Sequence, residues 1–148
     1  MPNCPRVVGV GGQGAVVGTA DAVMSPDALV IRFRPTDPDR VAILAEKEHR
    51  VTGRYGLSVF ADTARSGEDT GALIDRLLAA AELDGIATDK NPKFYLCSAA
   101  SELLSLPVRF YKYTNDDTEV AEHYSADLGG PEPDRVVRFL DPFGEMKR

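Results

Sequence analysis

The chain is 148 residues long, 43% hydrophobic and 27% charged, which suits one folded domain with its own core and leaves no room for a second of ordinary size. Seventeen Lys and Arg against 23 Asp and Glu give a net charge of −6, the wrong balance for phosphate-dominated binding of nucleic acid. No stretch reaches the roughly 18 uninterrupted apolar residues of a membrane-spanning helix, and the two cysteines, Cys4 and Cys97, read as reduced thiols of a cytoplasmic protein.

Residues 1–23 differ from the rest. Gly9, Gly11, Gly12, Gly14 and Gly18 are five of the 13 glycines, and no charge stands between Arg6 and Asp21. Uncharged glycine-rich segments behave as flexible coil, so the expected organisation is an N-terminal extension over 1–23 and one α+β domain over 24–148. Met24 is then a candidate start of translation. Gly9 to Gly14 also fits the G-x-G-x-x-G turn that brings backbone amides to a pyrophosphate. Its context is poor for that role. Only Arg6-Val7-Val8 precede the first glycine, Gly18 and Thr19 disfavour the helix that should follow, and Arg32 and Arg34 stand where an acidic ribose ligand is expected.

From Ala28 the periodicities place elements. Leu29 to Arg34 is a strand with Ile31 and Phe33 inward, and Pro35 ends it. Thr36 or Asp37 caps a helix with Pro38 at its first position; Val41, Leu44, Ala45 and Val51 form its apolar stripe, and Gly53 stops it. Tyr55 to Ala61 is a mostly apolar second strand. Ser66-Gly67-Glu68-Asp69 reads as a capping box ahead of Leu73, Ile74, Leu77, Leu78 and Ala81, the clearest helical spacing in the chain. Lys93 to Cys97 is a third strand, Ser98 caps a brief helix that Pro107 cuts off, and Val108 to Tyr113 is a fourth strand. Thr114 to Asp117 is a turn leading to a fifth strand, Val120 to Leu128. A last helix from about Pro133 carries Val136, Val137, Phe139, Leu140 and Phe143. Alternating strands and helices with a C-terminal hairpin predict a single mixed sheet of about five strands with three to four helices packed on it.

Chemistry needs side chains that move protons, attack or hold metal. The two histidines, His49 and His123, form no H-x-x-x-H or H-E-x-x-H pattern, so no metal site is expected. His49 suits a helix C-terminus, while His123 lies in a strand beside Glu122 and Tyr124 with Ser125 on its own face. Cys97 directly precedes the Ser98-capped helix, where a helix dipole would lower a thiol pKa; the competing reading is a small buried apolar residue. Residues 29–65 carry seven Lys or Arg against five Asp or Glu, whereas residues 115–148 carry four against nine. The basic residues serve as a solvated face or, if Arg32, Arg34 and Arg54 converge, as an anion-binding site.

Three resemblances attach to these residues. The run Gly9 to Gly14 resembles the GxGGQG turn of the gamma-type subunit of 2-oxoacid:ferredoxin oxidoreductases. Arg32 on one strand, Ser58 on the next, and Glu119 and Glu122 near a late strand resemble the arginine, serine, glutamate order of ADP-ribosyltransferase toxins. That likeness implies NAD gripped by Arg32 and Ser58, with Glu122 orienting an acceptor. Gly53 to Asp62 and Glu122 to Gly129 resemble phrases in small uncharacterised proteins of high-GC bacteria; this covers about residues 24–148 and implies no activity.

The expectation is a small acidic binding protein, like an antitoxin, an immunity protein or a regulatory subunit, that meets a protein partner with a basic surface and needs no cofactor. The alternative is a small toxin-type enzyme, NAD-dependent or RNA-directed, with Arg32, Ser58, Glu122 and His123 as its candidate catalytic residues.

Overall fold

The structure is a computed structural model that describes residues 16–17, 22–33, 35–84, 94–113 and 120–147. In chain order its elements are β1 (Val16–Val17), β2 (Ala22–Val23), β3 (Leu29–Arg32), α1 (Pro38–Thr52), β4 (Gly56–Asp62), α2 (Thr70–Leu83), β5 (Phe94–Ala99), α3 (Ala100–Leu104), β6 (Arg109–Lys112), β7 (His123–Asp127), α4 (Pro133–Leu140) and β8 (Gly144–Lys147).

The local chemistry of the two long helices accounts for their ends. Asp37 caps α1 by accepting from the Asp39 N–H, and Pro38 supplies a preset φ where no amide partner exists. Gly53 closes the helix in the left-handed region at φ 80°, its N–H donating to the His49 carbonyl at 2.8 Å. For α2 the cap is Asp69, which accepts from the Ala72 N–H at 2.8 Å, and not Ser66. Ser66 and Gly67 instead form a turn, and the carboxylate expected to complete the box, Asp69, is itself the cap. Likewise Ser98 caps nothing: it lies inside β5, and α3 follows Ala99 without a side-chain cap.

Six strands form one sheet in the order β6-β7-β4-β3-β5-β8. The α+β class and a single sheet covered by helices are as the sequence indicates. The sheet is not mixed, however: every neighbouring pair is antiparallel. The reason is topological. β4 and β5 do run the same way, joined across α2, but β3 lies between them, a split β-α-β arrangement in which no parallel strands become neighbours. The sixth strand, β8, follows the break at Pro142 and pairs with β5, so Phe143 is not part of the last helix.

Both faces of the sheet are covered. Val30, Val59, Ala61, Tyr124 and Ala126 pack under α1, α3 and α4 through Val41, Ala45, Leu103, Val136 and Phe139. Leu29, Ile31, Phe60 and Tyr95 pack under α2 through Leu73, Leu77, Leu78 and Ala81, the expected stripe. The α1 stripe is narrower than expected: Leu44 is 41% and Val51 84% exposed. Of the expected N-terminal extension, β1 and β2 pair antiparallel, with β2 near β6; the remainder of residues 1–23, including the glycine-rich turn, lies outside the described residues. Among the described residues no helix is long and apolar enough to cross a membrane.

Candidate functional site

β3 is short. It pairs with β4 only through Leu29, Val30 and Ile31, opposite Asp62, Ala61 and Phe60. The first half of β4, Gly56 to Val59, therefore runs on past the end of β3 while still paired with β7 on its other side. A cavity of about 250 Å³ occupies the gap. Arg32 and Phe33 bound it at the end of β3, and Leu44 and Glu48 bound it from α1. Its floor is Gly56, Leu57, Ser58 and Phe60 of β4 with Ser125 of β7, the residue directly opposite Ser58. Gly56 is needed at that floor: a Cβ there would overlap the Ser125 Oγ and press on Glu48.

Arg32 is the unusual wall of this cavity. It is the last residue of β3 and only 3% exposed. Its Nη2 donates to the Pro35 carbonyl at 3.0 Å, and its guanidinium lies 5.8 Å from the Phe143 ring centroid. Nε and Nη1 are buried with no hydrogen-bond partner among the described residues. Burial pulls the pKa of the group down to about 10, which still leaves it charged at neutral pH. A buried cation without an anion is costly, because desolvation is not repaid by a partner.

Ser58 shares the cavity with Arg32, although strand alternation sends their side chains to opposite faces of the sheet: Arg32 follows Ile31, the partner of Phe60, and so stands level with Val59. They meet only because β3 stops. The other expected residues are elsewhere. Arg34 and Glu119 lie outside the described residues. Arg54 does not line the cavity; its guanidinium covers the Tyr111 ring at 3.8 Å. Glu122 precedes β7 in a turn and faces Arg76 at 3.9 Å, within a network in which Arg76 also holds Asp62 at 2.7 Å and Glu68 at 2.8 Å and donates to the Thr63 carbonyl. The hydrogen bonds from Arg76 hold the Glu68 carboxyl down at about 2.

His123 is buried under α2, its Nδ1 paired with the Asp84 carboxylate at the end of that helix. Its ring is stacked between Phe60, at 4.3 Å, and Tyr113, at 4.0 Å. Burial lowers its pKa despite the opposing pull of Asp84, and its Nε2 is buried without a hydrogen-bond partner among the described residues. A histidine with an aspartate on one nitrogen has the form of a general base. Among the described residues Nε2 opens onto neither cavity described in this section, and the ring packs between two aromatic side chains. Sequence spacing could not have paired it with Asp84, 39 residues away. His49 stacks on Tyr55 at 4.0 Å near the end of α1.

Cys97 is buried, as one of its two readings has it, but it is not a reduced thiol. It is disulfide-bonded, 2% exposed and lies within β5, so it offers no activated thiol. The chain's other cysteine is Cys4, which lies outside the described residues.

A second cavity, of about 320 Å³, lies where Leu106 to Val108 meet the start of α4. Its cations are already neutralised. Arg135 pairs with Glu132 at 2.9 Å and donates to the Leu128 carbonyl, and Arg138 faces Asp134 at 4.0 Å. The site with an unmet charge is the one at Arg32. No protein-family model matches this chain, and neither a curated protein nor a solved structure does.

Proposed function

We propose that this protein is a binding protein that receives an anionic group at Arg32, in the cavity at the end of β3. One observation carries this reading: a buried, charged guanidinium whose Nε and Nη1 have no hydrogen-bond partner among the described residues, at the wall of a cavity. Guanidinium donors suit a carboxylate or phosphate, which would supply both the missing hydrogen bonds and the countercharge. The serine hydroxyls of Ser58 and Ser125 add neutral donors and acceptors. The net charge of −6 supports a second element, a protein partner with a basic surface, as for a regulatory or immunity-type subunit. Nothing in this reading requires a membrane, a nucleic acid or a cofactor.

NAD turnover is disfavoured by position, since Glu122 is engaged with Arg76 away from the cavity that Arg32 and Ser58 share. Thermal unfolding of the full chain with acetate, inorganic phosphate or NAD tests the reading. A ligand at 100 times its dissociation constant adds about 2.7 kcal/mol, so an occupied site raises Tm by several degrees. We expect a rise with a simple anion that disappears in Arg32→Met. No rise with acetate, with phosphate or with a larger carboxylate such as an amino acid would overturn it, and a rise with NAD alone that needs Arg32, Ser58 and Glu122 would make the protein an enzyme.

A further inference from the structure

The cavity at the end of β3 holds a carboxylate as well as a cation. Glu48 of α1 lines it, is partly buried, and makes no ion pair or side-chain hydrogen bond among the described residues. Its charge reaches across to the sheet, where it pushes the Tyr113 phenol above its ordinary range, after burial, the larger cause. Arg32 and Glu48 are therefore two opposite charges on one cavity that do not bond to each other. The same cavity is lined by apolar Leu44 and Phe33 and by Ser58 and its register partner Ser125.

From this juxtaposition we infer that the ligand is a small zwitterion, a free α-amino acid with an apolar side chain. Its carboxylate meets the unpartnered nitrogens of Arg32, its ammonium meets Glu48, and its side chain lies against Leu44 and Phe33. A simple anion would leave Glu48 facing it, and like charges brought together in a cleft repel. A cation alone would leave Arg32 unmatched. Size agrees: about 250 Å³ is below the roughly 300–1,000 Å³ of sites for drug-sized ligands. Gly56 keeps this space open, because any side chain there would reach Ser125 and Glu48. The exposure of Leu44, which the helix pattern alone would bury, follows from its place on the cavity wall.

This inference rests on the reading of Arg32 as an anion receptor, and the test separates the two. Calorimetric titration of the full chain uses L-leucine, L-phenylalanine and 4-methylpentanoate, which is leucine without its amino group. At least one amino acid is expected to bind on the order of tenfold or more tighter than 4-methylpentanoate, and Glu48→Gln is expected to erase the difference. Glu48 lies on a partly exposed helix position, so that variant should fold, and unfolding curves check that it does. Equal binding of leucine and 4-methylpentanoate, unchanged in Glu48→Gln, would overturn the zwitterion and leave the anion site standing. Binding of 4-methylpentanoate but of neither amino acid would do the same. Binding of none of the three, with no response to phosphate, would overturn both.

Discussion

Two arginines, one on the helix α2 and one at the end of the strand β3, meet opposite fates. Arg76 projects from α2 into a ring of acceptors, with Asp62, Glu68 and Glu122 around its guanidinium and the Thr63 carbonyl completing the set. Arg32, at the end of β3, is more deeply buried and has one carbonyl for three nitrogens. Folding compensates the first charge by itself. The second has no anion beside it among the described residues. A satisfied buried ion pair is weak evidence of function, since it closes on itself, whereas an unsatisfied one marks a place where the folded chain carries a cost.

Four measurements sharpen or break that contrast. The largest effect is expected from Leu77→Ala, in the fully buried stripe that fixes α2, and thereby Arg76, over the sheet. It should cost about 2–5 kcal/mol in denaturant unfolding through lost transfer energy and a cavity. A loss below about 0.5 kcal/mol, typical of an exposed site, would mean that the α2 face is misassigned.

Arg76→Met comes next. It leaves three carboxylates facing one another without a cation. Breaking a fully buried pair costs about 3–5 kcal/mol and a surface pair about 0–1 kcal/mol. The side chains here are 14–25% exposed, so about 2 kcal/mol is expected. No loss would place Arg76 beside Arg32 as a dispensable cation and end the comparison.

Acid should dismantle the two faces of α2 in order. The His123 pKa is lowered by burial, so its contribution is present above the ordinary 6.5 and is lost as pH falls through its folded value. Glu68 has its pKa lowered from 4.5 to about 2 by Arg76, so its contribution is present above 4.5 and is lost as pH falls toward 2. Unfolding free energy measured against pH should therefore decline in two stages. In Arg76→Met the lower stage should vanish and the upper one remain; a lower stage that persists would remove Arg76 as its cause.

Arg32→Met is expected to have the smallest effect on stability and the opposite sign. Replacing an unpaired buried guanidinium by an apolar chain of similar length removes a desolvation cost, and such exchanges are often neutral or stabilising by about 1 kcal/mol or more. A Tm equal to or above that of the parent, combined with loss of anion binding, is the signature of a group kept for its ligand. A drop of more than about 10 °C, which corresponds to a few kcal/mol in a domain this size, would show instead that Arg32 holds the fold together.

Much of this architecture is readable from local chemistry. The stripe of Leu73, Leu77, Leu78 and Ala81 identifies α2, and Asp37, Pro38 and Gly53 delimit α1, because helix periodicity and end-capping act over a few residues. The strands β3, β4, β5 and β6 are legible for the same reason, in runs dense with β-branched and aromatic residues. β8 is not, since Gly144-Glu145-Met146-Lys147 has too little pattern to declare itself and becomes a strand only because β5 offers it an edge. Ser66 has the spacing of a cap for α2, but Asp69, the carboxylate three residues on, takes that place by accepting from the Ala72 N–H.

The residue types at the site were visible, but their relation was not. Arg32 and Ser58 could be named as binding candidates from their strands, while Glu48 looked like any helix carboxylate. Alternation assigns each side chain to a face of its own strand, and it says nothing about where a neighbouring strand stops. Strand order, the insertion of β3 between β4 and β5, and the gap that gathers Arg32, Glu48 and Ser58 all depend on pairings between residues far apart in the chain. The sequence by itself determined which segments are helical or extended and which faces are apolar, because those follow from short-range periodicity. Only the tertiary structure decided which charges find partners, because compensation of a buried charge depends on everything that surrounds it in space.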